Sequence, residues 1–399
     1  MLITAPKVIT AEAGRPILEP GYVTVAAGRV TAVAPGRPPR AADIVLPGGM
    51  LLPGFVDLQV NGYFGEEFRI ADADGWAKVV TGLPQTGATA LLPTFVTAPP
   101  GALPAALRAA SALIPALPAG AARVLGVHAE GPFIAPGRRG AHHEAWITDP
   151  TPAAIDEVLE AGQGVLRLVT LAPERSGALA AIDRLTEAGV LVSVGHSDAT
   201  ARQVAAATDH GARMVTHLFN AQRPLHHREP GVVGQALTDQ RLTSGLIADL
   251  HHVSPQVCVM AVRAAPGRIC AVTDAAACAG MPPGRYLLGG EPIELLPGEG
   301  EPPVRDDGTL AGSALRMDVA VANLVTAGVG LAEAVAAASR IPADLIGRPD
   351  LGRIAPGAAA DLAWLGDDLR TRATWIGGEL VYAQAGGPGS PARAEGGHR

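Results

Sequence analysis

The sequence contains only three cysteines, Cys258, Cys270 and Cys278, and no two of them have C-x-x-C spacing. That speaks against a disulfide framework; an odd count of thiols fits a reducing cytoplasm, with each thiol packed in the core. No run of Lys and Arg exceeds two residues, and the net charge is −7. An extended nucleic-acid surface is therefore excluded, and an anionic ligand would need a local pocket. Long apolar runs are missing too. The uncharged stretch from Val79 to Leu107 is interrupted by Pro84, Pro93, Pro99 and Pro100, so it is no membrane span. The N-terminal MLITAPKVITAEAG lacks a charged segment followed by an unbroken apolar one, so no signal peptide is expected and a cytoplasmic location is.

What is present is ample core-forming material: 48% hydrophobic against 17% charged residues over 399 positions. This length predicts one large catalytic domain with attachments, or two ordinary domains. Residues 1–53 are short β-type runs punctuated by Gly and Pro, with a hairpin turn at Gly28-Arg29, and the same texture returns over 349–384. The two flanks are expected to pair into a small β-sandwich. The last stretch, 385–399, is Gly/Pro/polar and reads as a disordered tail.

The block 54–348 repeats a pattern. Eight apolar runs occur, at FVDLQVNG, ATALLPTFV, RVLGVHAEGPF, GVLRLVTLAPE, GVLVSVGHSD, RMVTHLFNA, LTSGLIADLHHV and RICAVTDAA, mostly alternating with amphipathic helical segments. One segment is expected to start at a Ser176 cap and stop at Gly189, and another to start at Ser254 with Pro255 in its first turn. Continuous apolar strands alternating with helices imply a parallel sheet covered on both faces. No G-x-G-x-x-G follows the first strand, which disfavours an open dinucleotide-binding sheet. The fold class is therefore α/β, a closed (β/α)8 TIM-type barrel.

Chemistry in such a barrel sits where the strands end. Here those ends are polar: Gln59 and Asn61 at the first, Glu130 at the third, His196 at the fifth and His217 at the sixth. Asp249, His251 and His252 close the seventh, and Asp274 the eighth. One histidine or glutamate alone would read as a hydrogen-bonded structural residue. Several ionisable groups converging on one mouth need a compensating charge, and a cation is the simplest. Glu130, His196 and His217 offer a carboxylate and two imidazoles, a set suited to Zn²⁺ or a similar divalent ion with one position left for water. Such an ion lowers the pKa of water toward neutrality. Asp274 could then shuttle a proton between water and leaving group; a helix cap or a fourth ligand are its alternative roles.

The ordered motifs PGFVDLQVNG, HAEGPF, GAHH, LAPE, VGHSDAT, THLFNA, REPG, TDA and LAGSAL make the chain resemble the N-acetylglucosamine-6-phosphate deacetylases of the amidohydrolase superfamily, over all but the tail. The resemblance implies a metal-dependent barrel with a sandwich from both termini, hydrolysing the acetamide of N-acetyl-D-glucosamine 6-phosphate. It implies metal ligation by Glu130, His196 and His217, with Asp274 as catalytic acid/base. His142 is then placed at the acetamide carbonyl as an oxyanion stabiliser. Substrate contacts are implied for Ala141, Asn220, Ala221, Asp249, His252, Leu310, Ala311 and Gly312. Arg228 is implied to reach the phosphate in a neighbouring subunit, hence a homodimer.

Two positions depart from the family pattern. Gln59 and Asn61 replace the His-x-His pair that holds a second metal in many superfamily members, which predicts one ion: zinc first, with Fe²⁺, Co²⁺ or Mn²⁺ as alternatives. Leu250-His251 replaces the usual glycine-aliphatic pair, which bears on the contact by His252. The competing readings are the same reaction on N-acetylgalactosamine 6-phosphate, a cyclic-amide hydrolase, and an inactive sugar-phosphate sensor. No lysine follows Lys78, which removes the bridging-lysine form of the cyclic-amide reading.

Overall fold

Every residue of the strand Ala88–Val96 is buried, as a strand flanked by helices on both faces must be. In this computed structural model, which describes residues 1–385 apart from 13, 15 and 299, that strand is β2 of an eight-stranded parallel barrel. The other staves are β1 (Phe55–Val60), β3 (Val127–Glu130), β4 (Leu166–Leu171), β5 (Leu191–Val194), β6 (Met214–Val215), β7 (Thr243–Ile247) and β8 (Ile269–Val272). Each pairs in parallel with the next in sequence. The ring closes where the chain leaving β8 runs beside β1: Asp274 N donates to Gln59 O at 2.9 Å and Asn61 N to Ala275 O at 2.8 Å.

Helices α1 (Ala73–Gly82), α2 (Ala102–Leu113), α3 (Pro152–Ala161), α4 (Ala178–Glu187), α5 (Ala201–Asp209), α6 (Gly231–Thr238), α7 (Pro255–Ala264) and α8 (Met317–Ala327) each follow the strand of the same number. Thr200 and Gln203 form a reciprocal capping box at the start of α5, satisfying two otherwise orphaned amides. Ser254 occupies the N-cap position of α7 with Pro255 in the first turn, as expected, but its side chain makes no capping hydrogen bond among the described residues. Ser176 does not cap α4; Gly177, at φ 82°, takes that place because the chain must turn through the left-handed region there. Between β8 and α8 an antiparallel hairpin, Gly284–Leu288 with Glu291–Leu295, is inserted.

The termini build two further sheets. One is wholly N-terminal; the other interleaves strands Val8–Ile9, Ile17–Leu18 and Met50–Pro53 with Leu362–Leu365, Thr371–Ile376 and Glu379–Ala383. Ile3, Val23 and Val30 from the first meet Leu51, Leu362 and Trp375 from the second in a separate core. Among the described residues, no helix is long and apolar enough to cross a membrane. The expected tail, 385–399, lies outside the described residues beyond Ala385.

Candidate active site

Three of the strand-end side chains meet at one point. Glu130 Oε1 lies 3.1 Å from His196 Nε2 and 3.0 Å from His217 Nε2, and the two nitrogens are 3.0 Å apart. All three residues are buried. The chain reaches these positions under strain, with φ at 47° in His196 and 27° in His217; Asp274, at 51°, shares it. Left-handed backbone in non-glycine residues costs free energy and gathers where side-chain placement matters more than local comfort.

The donor set fits a cation. His196 Nδ1 is 2.9 Å from the carbonyl of Arg138, which can only accept, so Nδ1 carries the proton and Nε2 presents a lone pair inward. Burial pushes the Glu130 carboxyl up, but the adjoining His196 and His217 outweigh it and hold it well below the usual range. Burial drives the His217 imidazole down, and Glu130 more than reverses this, raising it. An anion and two inward nitrogens this close are the chemistry of a divalent ion's ligands. A ligand atom of His142 also lies within 4.8 Å of those of Glu130 and His196. His142 Nδ1 is committed elsewhere, to Thr97 Oγ1 at 2.7 Å, so the tighter triangle is Glu130, His196 and His217.

Around this triangle the remaining groups are ordered by hydrogen bonds. Asp274 Oδ1 accepts from Asn61 Nδ2 at 2.7 Å and from Gln59 Nε2 at 3.1 Å. The same Gln59 amide also donates to Glu130 Oε1 at 3.1 Å. Burial and the nearby Glu130 charge push the Asp274 carboxyl up to about 7. His142 is driven down to about 3, by burial first and then by the neighbouring His196. Its Nδ1 faces the Thr97 amide as well as the Thr97 hydroxyl. An N–H can only donate, so Nδ1 accepts and the ring proton sits on Nε2.

Asn61, Thr97, Glu130, His142, His196, His217 and Asp274 line one cavity of about 220 Å³, with Gln59 buried behind its wall. Ala141, Asn220, Ala221, His252, Leu310 and Gly312, for which the resemblance implies substrate contacts, line it too. Asp249 does not: its carboxylate accepts from the His252 ring Nδ1 at 2.6 Å and from the amides of His251 and His252, and so orients His252. Ala311 is fully buried beside the cavity rather than in its wall. Arg228 is exposed, lies outside the cavity wall, and among the described residues its guanidinium has no hydrogen-bond or ion-pair partner. Leu250 adopts φ 67°, the conformation a glycine would take without cost.

Sequence reasoning missed Thr97, His143, Trp146, Gly289, Glu291 and Thr309, all in the cavity wall. His143 and Trp146 stack at 4.4 Å and 22°. Only His143, adjacent to His142 in GAHH, carried any signal; the others come from the insertion after β8 and from loops without periodicity.

Below the cavity, burial pushes Asp57 from 3.8 up to about 7, against hydrogen bonds from Thr273 and Gln59. A carboxyl whose folded pKa is raised favours its neutral form in the fold. Its contribution is complete below about 4 and is lost as pH rises through about 7. Urea unfolding of Asp57→Asn at pH 5 and pH 8 should therefore show a smaller stability drop than wild type; equal drops would contradict this assignment.

The amidohydrolase family model matches residues 299–381. The N-acetylgalactosamine-6-phosphate deacetylase of Escherichia coli O157:H7 is 40% identical over 335 residues, covering 83% of this chain and 88% of that protein. The human N-acetylglucosamine-6-phosphate deacetylase is 40% identical over 355 residues, 84% of either chain. Among solved structures, mutant N-acetyl-D-glucosamine-6-phosphate deacetylase from Mycobacterium smegmatis in complex with N-acetyl-D-glucosamine-6-phosphate superposes with a TM-score of 0.90 at 38% identity. That match covers 96% of this chain and 99% of the other.

Proposed function

Since this chain belongs to the N-acetylglucosamine-6-phosphate deacetylase family of amidohydrolases, we propose that it hydrolyses the acetamide of N-acetyl-D-glucosamine 6-phosphate to glucosamine 6-phosphate and acetate. The observation that carries this reading is the triangle of Glu130, His196 and His217 with Asp274 in the same cavity. Those three hold one divalent ion, zinc first and Fe²⁺, Co²⁺ or Mn²⁺ next. When bound there, the ion lowers the pKa of water and draws charge from the acetamide oxygen. Gln59 and Asn61 spend their amide donors on Glu130 and Asp274, which speaks for a single ion.

The protein side chains do the rest. Asp274 takes the proton of the attacking water and returns it to the nitrogen as the C–N bond breaks, so that a neutral amine leaves. His142, neutral and protonated on Nε2, donates to the oxygen on which negative charge develops. His252, held by Asp249, and Asn220 orient the sugar phosphate. Arg228 projects from the surface toward the phosphate in a second copy of the chain, which makes the working unit a homodimer. Buried, unlinked Cys258, Cys270 and Cys278 suit a cytoplasmic enzyme of amino-sugar breakdown.

The 40% identity to the E. coli galactosamine relative favours the C4 epimer as the second reading. Acetate release from the two 6-phosphorylated N-acetylhexosamines and their unphosphorylated forms, with metal content measured in the same preparation, tests both. Arg228→Ala should raise KM for the phosphorylated sugars by roughly tenfold to hundredfold, the cost of one charge-assisted hydrogen bond. It should leave folding and the unphosphorylated sugars untouched. Equal effects with and without phosphate would remove Arg228 from phosphate binding.

A further inference from the structure

Directly beneath the Glu130–His196–His217 triangle the barrel interior is polar where branched aliphatic side chains are the norm. Thr94 on β2, His128 on β3, Thr170 on β4, Ser193 on β5 and Thr216 just past β6 are all buried to within 1%. They form one hydrogen-bonded chain. Thr94 Oγ1 to His128 Nδ1 is 3.3 Å, His128 Nε2 to Thr170 Oγ1 2.7 Å, Thr170 Oγ1 to Thr216 Oγ1 2.7 Å, and Thr216 Oγ1 to Ser193 Oγ 2.6 Å. Burying these groups costs desolvation that an aliphatic filling would avoid. What a paired polar chain adds over aliphatic packing is direction: it sets the spacing and register of the strands it joins.

The joined strands are those that deliver the triangle. His128 precedes Glu130 by two residues on β3, so both side chains leave the same face. Thr216 immediately precedes His217, and Ser193 lies on the strand that runs out into His196. The regular ladder of β6 is short, Met214 and Val215 on either side, and main-chain bonds from Arg213, Thr216 and Leu218 extend its attachment to β5 and β7; the side-chain links add to these. Gly195, the residue before His196, is seated on the same chain: a Cβ there would lie 2.7 Å from Thr170 Cγ2 and from Thr216 Cβ. That close approach admits only glycine.

We propose that His128, Thr170 and Thr216 are positioning residues, whose hydrogen-bonded chain ties β3, β5 and β6 together so that Glu130, His196 and His217 aim their donor atoms at one point. This rests on the reading of those three as the ligand set.

The test uses the full chain loaded with Co²⁺, read by its visible ligand-field absorption and by its apparent Kd against a competing chelator, with melting of the metal-free forms alongside. Wild type should take up one equivalent, and Glu130→Gln should not; failure of that control would sink the ligand reading rather than this one. Thr216→Val keeps the shape and removes the hydroxyl. It should weaken Co²⁺ binding by roughly tenfold to hundredfold, the range seen when the supports of metal ligands are removed, and should shift the visible bands. Thr216→Ser should restore both. Should Thr216→Val prove too unstable to purify, Thr170→Val carries the same expectation, because it cuts the link between His128 and Thr216. A valine variant that melts lower but keeps wild-type Co²⁺ affinity and spectrum would overturn the proposal.

Discussion

Asp274→Asn should fold, bind its metal, and lose turnover by about 10²–10⁴-fold, the range for removal of a general acid–base. The fold survives for two reasons. Asparagine is among the few residues that tolerate the left-handed backbone found here, φ 51°. One of the donors now aimed at the carboxylate, Asn61 Nδ2, can also turn over. Among the described residues, Asn61 Oδ1 is buried without a hydrogen-bond partner, so a flip of the Asn61 amide presents an acceptor to the new amide of residue 274. What cannot be replaced is the proton. An amine leaves an acylated carbon poorly as its anion, and asparagine can neither take the proton from water nor return it. Acetate release, metal content and melting temperature measured on one preparation decide the matter. A turnover within tenfold of wild type at full metal loading would exclude Asp274 as the acid–base.

Glu130→Gln should have the second large effect, through binding rather than proton transfer. The substitution keeps the side-chain shape but removes the only negative charge in the triangle, leaving two imidazole nitrogens 3.0 Å apart and no carboxylate among the three ligands to offset a dipositive ion. Wild type should melt higher as metal is added, since a ligand that binds only the folded state stabilises it by about 4 kcal/mol at a thousand times its Kd. In Glu130→Gln that rise should disappear, and turnover should fall by roughly 10³-fold or more, the equivalent of the several kcal/mol that such an ion supplies. Unaltered metal content in Glu130→Gln would show that the ion sits elsewhere.

Much of this protein is legible along the chain, because the relevant signals are local. A strand covered on both faces is a continuous apolar run, and β2 shows the limiting case, with all of Ala88–Val96 buried. A barrel's catalytic groups follow such runs directly, so Glu130, His196, His217 and Asp274 stand out as polar residues at the ends of apolar stretches. Helix starts are less reliable: Ser254 sits where expected, but Ser176 yields its place to Gly177 because the path of the chain, not the residue's capping ability, selects the turn.

The distances belong to the tertiary structure. Glu130 is 66 residues from His196 and 87 from His217, and only closure of the ring, with its particular stagger, brings them within 3.1 Å. The chain from Thr94 through His128 to Ser193 is hidden in sequence for the same reason: each member, alone in an apolar run, looks like ordinary strand filler. The cavity wall supplied by Trp146 and Gly289 is equally silent, since loops and turns carry no periodicity. Residue type and order therefore determine which groups are available and on which strand ends. Long-range closure decides which of them touch, because a hydrogen bond or a metal site is sensitive to tenths of an ångström that no local pattern encodes.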